Sequence, residues 1–282
     1  MAVKPLRIGI VAPASRIDKV LAERVSALAD AAYGKRVELF FHPQCFLSSG
    51  HFAGDDEARA KAFLEVANDP SFDVLWAARG GYGSCRILEL VAPHLEHKAL
   101  HKSYLGYSDA GSLLALMYMR HAKEVTHAPM PADIKRDGGE AAVKRALGYM
   151  IERAAGTVEP TVYSTGHPVA AFNIVILSKL LGTPFEPDLK DHVLMLEDVS
   201  EAMYRIDRSL FHITSNPNIR KVAGIRLGRV TDIPPNDPDF IETEVQVIER
   251  WCTRSGIPYL GRADIGHDIE NKIVPFGHPP IA

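Results

Sequence analysis

Short apolar runs alternate with stretches of helical spacing through the first half of the chain. Residues 7–12 form an apolar run that ends in Pro13-Ala14-Ser15, which predicts a buried strand and a turn. Residues 18–33 set Val20, Leu21, Val25, Leu28 and Ala32 on one side of a helix, with Gly34 as its C-cap. Further strands are predicted at 37–41, 73–78, 103–105 and 124–126. The helices between them start at Asp55 or Asp56 and run to Ala67, follow a glycine-rich turn through Leu90, and span 109–121. This alternation predicts a parallel sheet covered on both faces, with ligands bound beyond the carboxyl ends of its strands.

The second half continues in the same manner. A connecting helix is predicted over 137–155 and a boundary over 156–168, which is rich in Gly, Pro and Thr. Then come a helix near 173–181, a strand at 192–196, a helix at 204–213 and a strand at 222–230. A loop with Pro234, Pro235 and Pro238, a helix at 241–250 and a strand at 258–265 complete the pattern. The division expected is an N-terminal domain over 1–155, a linker over 156–170 and a C-terminal domain over 171–282. No internal repeat or low-complexity tract is visible.

Composition narrows the class. The 282 residues are 46% apolar and 24% charged, with a formal net charge of -3, so no nucleic-acid footprint is expected. The three cysteines, Cys45, Cys85 and Cys252, are scattered and odd in number, which fits a reducing compartment better than a disulfide framework. Twelve histidines form no tight metal-ligand motif. No run approaches a membrane span, and residues 8–12 are too short for a signal segment, so the expected location is cytoplasmic.

Candidate chemistry sits where apolar runs end. Leu105-Gly106-Tyr107-Ser108-Asp109-Ala110-Gly111 puts Ser108 on a strand-to-helix turn, with free N–H groups of the helix start behind it. The pattern is one residue from a Gly-x-Ser-x-Gly nucleophile elbow, Ala110 replacing the second glycine. Ser108 is therefore a nucleophile or a plain helix cap. Arg79-Gly80-Gly81-Tyr82-Gly83-Ser84 lacks the third glycine of a dinucleotide fingerprint; it is either a backbone that approaches a ligand closely or a bare turn. Glu197 ends an apolar strand, as a solvent-facing acid or as the partner of a histidine, with Asp198 and Glu201 as rivals. His267 follows another apolar strand, beside Gly266. A serine nucleophile needs a base and the base an orienting acid, and the order Ser108, Glu197, His267 supplies that set.

Several spaced motifs together resemble the serine-type LD-carboxypeptidase family, the muramoyltetrapeptide carboxypeptidases. They are Ile10-Val11-Ala12-Pro13-Ala14-Ser15, Phe52-Ala53-Gly54-Asp55-Asp56-Glu57-Ala58-Arg59, the glycine-rich turn, Gly106-Tyr107-Ser108-Asp109, Leu181-Gly182-Thr183-Pro184, Leu196-Glu197-Asp198-Val199, Tyr204-Arg205-Ile206-Asp207-Arg208 and Ile265-Gly266-His267. The resemblance implies a triad of Ser108, Glu197 and His267, and an oxyanion hole from the backbone N–H groups of Gly81 and Asp109. It implies a class I glutamine amidotransferase-like α/β domain with a parallel sheet, a smaller α/β C-terminal domain, and an active site between them. It further implies a homodimer that removes D-alanine from murein tetrapeptide in peptidoglycan recycling, with no metal or other cofactor. Arg86 is a candidate for the substrate carboxylate. One departure stands out: Ala171-Phe172-Asn173 replaces the Gly-Gly-Asn common in the family. Related microcin-immunity peptidases share the triad and cleave a peptide–nucleotide amide, but no inserted loop with a base-stacking aromatic is evident. The remaining alternatives are a non-enzymatic small-anion binding module and an α/β-hydrolase esterase; the latter lacks its His-Gly-Gly-Gly-type oxyanion motif.

Overall fold

Asp18 begins the first helix by accepting the Leu21 N–H at 2.8 Å, and Asp55 begins the second by accepting the Ala58 N–H at 2.8 Å. These caps and the apolar runs between them produce a regular alternation in the computed structural model, which describes residues 4–278. The order is β1 (Leu6–Val11), α1 (Lys19–Tyr33), β2 (Val37–Phe41), α2 (Asp56–Asn68), β3 (Val74–Ala77), α3 (Leu88–Val91), β4 (Ser103–Gly106), α4 (Gly111–Met119), β5 (Glu124–His127) and α5 (Glu140–Glu152). Strands β2, β1, β3, β4 and β5 pair in parallel in that spatial order. The helix expected after the glycine-rich turn is only a 3₁₀ turn, Ser84–Ile87, and the short α3, because Pro93 follows at once.

The second half forms its own parallel sheet of β6 (Val169–Asn173), β7 (Val193–Val199), β8 (Gly224–Thr231) and β9 (Tyr259–Arg262), paired in chain order. Helices α6 (Ile174–Leu180), α7 (Met203–Ser215) and α8 (Glu244–Ser255) connect the strands. Two expectations change here. The wholly buried run Val169–Asn173 is a strand that sequence periodicity did not separate from the helix after it. Asn173 then caps α6 through the Ile176 N–H. The last helix starts at Glu244 instead of 241, because Thr243 and Gln246 form a capping box, while Ile241 lies outside it with φ of +70°.

The chain end does not stay with the second sheet. Strand β10 (Val274–Pro275) runs antiparallel to β5 and completes a six-stranded first sheet. Just beyond it, Gly277 and Val169 exchange backbone hydrogen bonds of 2.8 and 2.9 Å, so residues 274–277 join the two sheets. The expected linker is tied down as well, since Val158 bridges Ile273. Helix α4, apolar on all sides, is buried on its inner faces, and Gly111 at its start faces Phe172 and Ile176. A single apolar core therefore runs through both sheets. Among the described residues no helix is long and apolar enough to cross a membrane.

Close packing between β8 and the loop after β9 is testable. A Cβ at Gly228 would stand 2.7 Å from the Ile265 carbonyl oxygen and 3.0 Å from the Glu197 Cβ, and a backbone carbonyl cannot move aside cheaply. Gly228→Ala should cost about 1–3 kcal/mol in chemical denaturation. Gly156→Ala, where a Cβ meets nothing within 4 Å, should leave stability within about 0.5 kcal/mol.

Candidate active site

Ser108 leaves β4 with φ of +58°, a left-handed conformation that residues with a Cβ adopt only at some energetic cost. The 3₁₀ turn Ser108–Ala110 carries no side-chain cap, so Ser108 is not serving as a helix cap. Its half-buried side chain lies against Gly80, where a Cβ would come within 3.0 Å of both the Ser108 Cβ and Oγ. Bare backbone is thus required next to this hydroxyl. Gly81, with φ of +116°, has no room for a Cβ either, because Ser15 Oγ would lie 2.5 Å away.

The glycine-rich turn and the serine turn are latched together. The buried Asp109 carboxylate accepts the Ser84 N–H at 2.8 Å and the Gly83 N–H at 3.3 Å. The guanidinium of Arg59, wholly buried, donates to the Gly83 carbonyl at 2.8 Å and to the Pro13 carbonyl at 2.5 Å. Hydrogen bonds to a buried charge contribute about 1.5–3 kcal/mol each, enough to hold a glycine-rich segment that would otherwise be flexible. The conspicuous Phe52–Arg59 motif therefore acts through Arg59, which reaches the turn from α2. Arg86 is not on this side of the turn. It forms a fork with Asp56, at 2.7 Å from Nη2 and 2.9 Å from Nε, and it does not line the cavity over Ser108.

Across the cleft, Glu197 and His267 meet. His267 Nδ1 lies 2.5 Å from Glu197 Oε2, and both side chains are buried. The register of β7 against β8 shifts between Leu196 and Asp198, and this bulge sets the direction of Glu197. Asp198 points elsewhere. It accepts the Asn173 amide at 2.9 Å and the Val199 and Val175 N–H groups at 2.8 and 3.1 Å. Burial and the neighbouring Glu197 charge push its carboxyl up to about 7. Glu201 lies 3.8 Å from Arg205 on the surface.

The His267 loop is held from both sides. Arg229 reaches Asp264 at 2.6 Å and also pairs with Asp268. Asn271 accepts the Gly266 N–H at 3.2 Å and faces the His127 ring at 3.0 Å. Burial pushes the His127 imidazole down. The Tyr107 ring packs between these two histidines, 4.8 Å from His267 and 5.4 Å from His127, and its hydroxyl donates to Asp133 at 2.7 Å. Arg229, Asn271 and Asp133 were not marked by the sequence, because none stands in a pattern that its own neighbours make unusual; Tyr107 stands in the serine-turn motif, but nothing there showed its contact with the histidines.

Ser108, Gly80, Gly81 and His267 line one cavity of about 550 Å³. His267 Nε2 and Glu197 Oε1 are buried and have no hydrogen-bond partner among the described residues, so the imidazole and the serine hydroxyl share a cavity without being bonded to each other. Burial alone would push the His267 imidazole down. The Glu197 charge and hydrogen bond outweigh it and hold the group above its ordinary value. Among the described residues, no group of three or more His, Cys, Asp or Glu side chains is placed to hold a metal ion.

Comparison with known proteins agrees with this architecture. Residues 8–128 match the LD-carboxypeptidase N-terminal domain and residues 168–280 the LD-carboxypeptidase C-terminal domain. A Synechocystis sp. protein named for carboxypeptidase activity is 30% identical over 234 residues, 81% of this chain and 75% of that protein. The murein tetrapeptide carboxypeptidase of Pseudomonas aeruginosa is 24% identical over 294 residues, 98% of this chain and 92% of its own. The crystal structure of muramoyltetrapeptide carboxypeptidase from Oxalobacter formigenes superposes with a TM-score of 0.77 at 23% identity, covering 95% of this chain and 93% of that one. The microcin C7 self-immunity protein bound to aspartyl sulfamoyl adenosine gives 0.76 at 16% identity, covering 100% and 98%. The chain is a serine-type carboxypeptidase and belongs to the LD-carboxypeptidase family.

The Glu197–His267 contact has a direct readout. In an NMR titration of the His267 ring, the midpoint should lie above about 6.5, the ordinary histidine value. Glu197→Gln keeps a hydrogen-bonding group but removes the charge, so the midpoint should fall below that of the parent; an unchanged midpoint would show that the two groups do not interact in solution.

Proposed function

We propose that this chain is an LD-carboxypeptidase that removes the terminal D-alanine from murein tetrapeptide through an acyl-enzyme. The observation that carries the reading is the buried Glu197–His267 pair, whose free Nε2 belongs to a residue lining the same cavity as the strained Ser108 turn. Ser108 Oγ attacks the carbonyl of the last peptide bond while His267 Nε2 takes its proton. The Gly81 and Asp109 N–H groups receive the developing oxyanion. His267 then gives its proton to the leaving D-alanine nitrogen as the C–N bond breaks. Water repeats the sequence to release the shortened peptide, and Glu197 stabilises the imidazolium at each stage.

The finer features belong to the same proposal. The first sheet is a class I glutamine amidotransferase-like domain. The protein works as a homodimer on recycled murein peptides in the cytoplasm. The domains divide between the two sheets, with the chain end returning to the first. A second reading, cleavage of a peptide–nucleotide amide, is supported by the fold shared with the microcin self-immunity protein.

Purified murein tetrapeptide incubated with the protein should lose D-alanine by mass spectrometry. Ser108→Ala should lower turnover at least about a thousandfold with the fold intact. The L-alanine epimer and a pentapeptide ending in a D-D bond should be poor substrates, because an inverted centre directs its methyl and carboxylate into the wrong walls. Equal kcat/KM for the two epimers would overturn the murein reading, and efficient cleavage of an aminoacyl sulfamoyl adenylate would favour the second.

The pH dependence follows from the charge of His267. Only neutral imidazole can accept the serine proton, and Glu197 holds the protonated form to a higher pH than usual. The acid limb of kcat/KM should therefore lie above about pH 6.5. Glu197→Gln should move that limb to lower pH while lowering the plateau. An acid limb that stays in place in this variant would remove Glu197 from the mechanism.

A further inference from the structure

An enzyme that removes one terminal residue must distinguish a chain end from a continuing chain. The difference is a carboxylate, three covalent bonds from the carbonyl carbon under attack. Three cationic side chains line the Ser108 cavity: Arg79, Lys135 and Arg136. Lys135 is committed to Asp18, 2.6 Å away. Arg79 is exposed, its only side-chain hydrogen bond among the described residues is a long one to the Arg16 carbonyl at 3.4 Å, and it directly precedes Gly80-Gly81 on the oxyanion side of the site.

Arg136 is exposed as well, but it is anchored on the His267 side of the cavity. Its Nε donates to Asp133 at 3.1 Å, while Nη1 and Nη2 have no acceptor among the described residues. Asp133 is itself fully engaged, accepting from the Tyr107 hydroxyl at 2.7 Å and from the Met130 N–H at 2.8 Å. The Tyr107 ring packs on His267. A continuous chain of contacts thus runs from the imidazole through Tyr107 and Asp133 to a guanidinium held by one edge, with its other edge free. The leaving nitrogen must lie beside His267, which protonates it, so the carboxylate of the departing residue lies on this side too. A planar guanidinium with two unengaged amino groups matches a carboxylate in bidentate fashion.

We propose that Arg136 binds the α-carboxylate of the departing residue, with Asp133 as its positioning partner, and that this contact confines cleavage to the chain end. The inference rests on the assignment of Ser108 and His267 above, but not on which peptide is cleaved. Arg86, bound to Asp56 outside the cavity, takes no part.

The test compares kcat/KM for one peptide ending in a free carboxylate and the same peptide ending in a carboxamide. It uses murein tetrapeptide, or whichever peptide the parent enzyme cleaves best, so that failure of the murein reading leaves this measurement intact. The parent should favour the carboxylate at least about 10-fold, as expected when charge-assisted hydrogen bonds of about 1.5–3 kcal/mol are lost from the substrate. Arg136→Met should reduce the preference to within about threefold, and Arg136→Lys should restore part of it. Arg79→Met should keep the parental ratio. A merely structural role for Arg136 would slow both substrates alike and leave the ratio untouched. That result, or loss of the preference in Arg79→Met, would overturn the proposal.

Discussion

Glu197 has no access to water, and much of the second half of the molecule is arranged around that fact. Moving a carboxylate out of water costs several kcal/mol, which only a well-placed partner offsets. His267 is that partner, and it can serve only if its loop is rigid. Arg229 holds the loop from β8, Asn271 holds it from the chain behind it, and Tyr107 supports the ring from the first sheet. Gly228 lets Ile265 and Glu197 approach as closely as the pair demands. Loss of any one support would leave a buried charge poorly compensated, which is far more costly than loss of an exposed ion pair such as Arg7–Glu38.

The same logic governs the other wall of the cleft. A turn with bare backbone at Gly80 and Gly81 can approach a ligand, but such a turn is flexible when left alone. Here two buried charges, Arg59 and Asp109, replace the missing side-chain packing with hydrogen bonds to the turn's own backbone. The strain at Ser108 is supported by what surrounds it: β4 in the middle of the first sheet, and α4 packed against the second. The two walls keep their spacing because the core is continuous and because residues 274–277 are bonded to both sheets. Ala171 and Phe172 lie in β6, where Phe172 packs against Phe276 at 5.1 Å and so contributes to the junction between the sheets.

Charge within the cavity is also sorted. The carboxylates of Glu197 and Asp133 are each matched to a partner, whereas the guanidinium of Arg136 is engaged along only one edge. One edge of that guanidinium is therefore left open, close to the paired Glu197 and His267.

Much of the architecture can be read directly along the chain. Periodicity and turn residues mark nine strands and helices of the first half closely, because each is stabilised by its own pattern, by caps such as Asp18 and Asp55, and by neighbours close in sequence. The motif residues Ser108, Gly81, Glu197 and His267 were also visible, since each follows or interrupts an apolar run, although Glu197 lies within β7, which continues to Val199, and not at its end as expected. Strands β6 and β10 were not, because a short buried run carries no period and a two-residue strand exists only by virtue of its partner. Hidden too were the roles of Arg59 and Tyr107, although both stand in recognisable motifs, and the involvement of Asn271, Arg229, Asp133 and Arg136. Their importance lies in contacts spanning 24 to 144 residues, apart from the local Asp133–Arg136 pair. Local sequence determines which segments become strands, helices and turns. Only tertiary packing decides which carboxylate meets the histidine, which arginine faces the cavity, and which glycines leave no space for a methyl group, because those outcomes depend on distances between parts of the chain that carry no local record of one another.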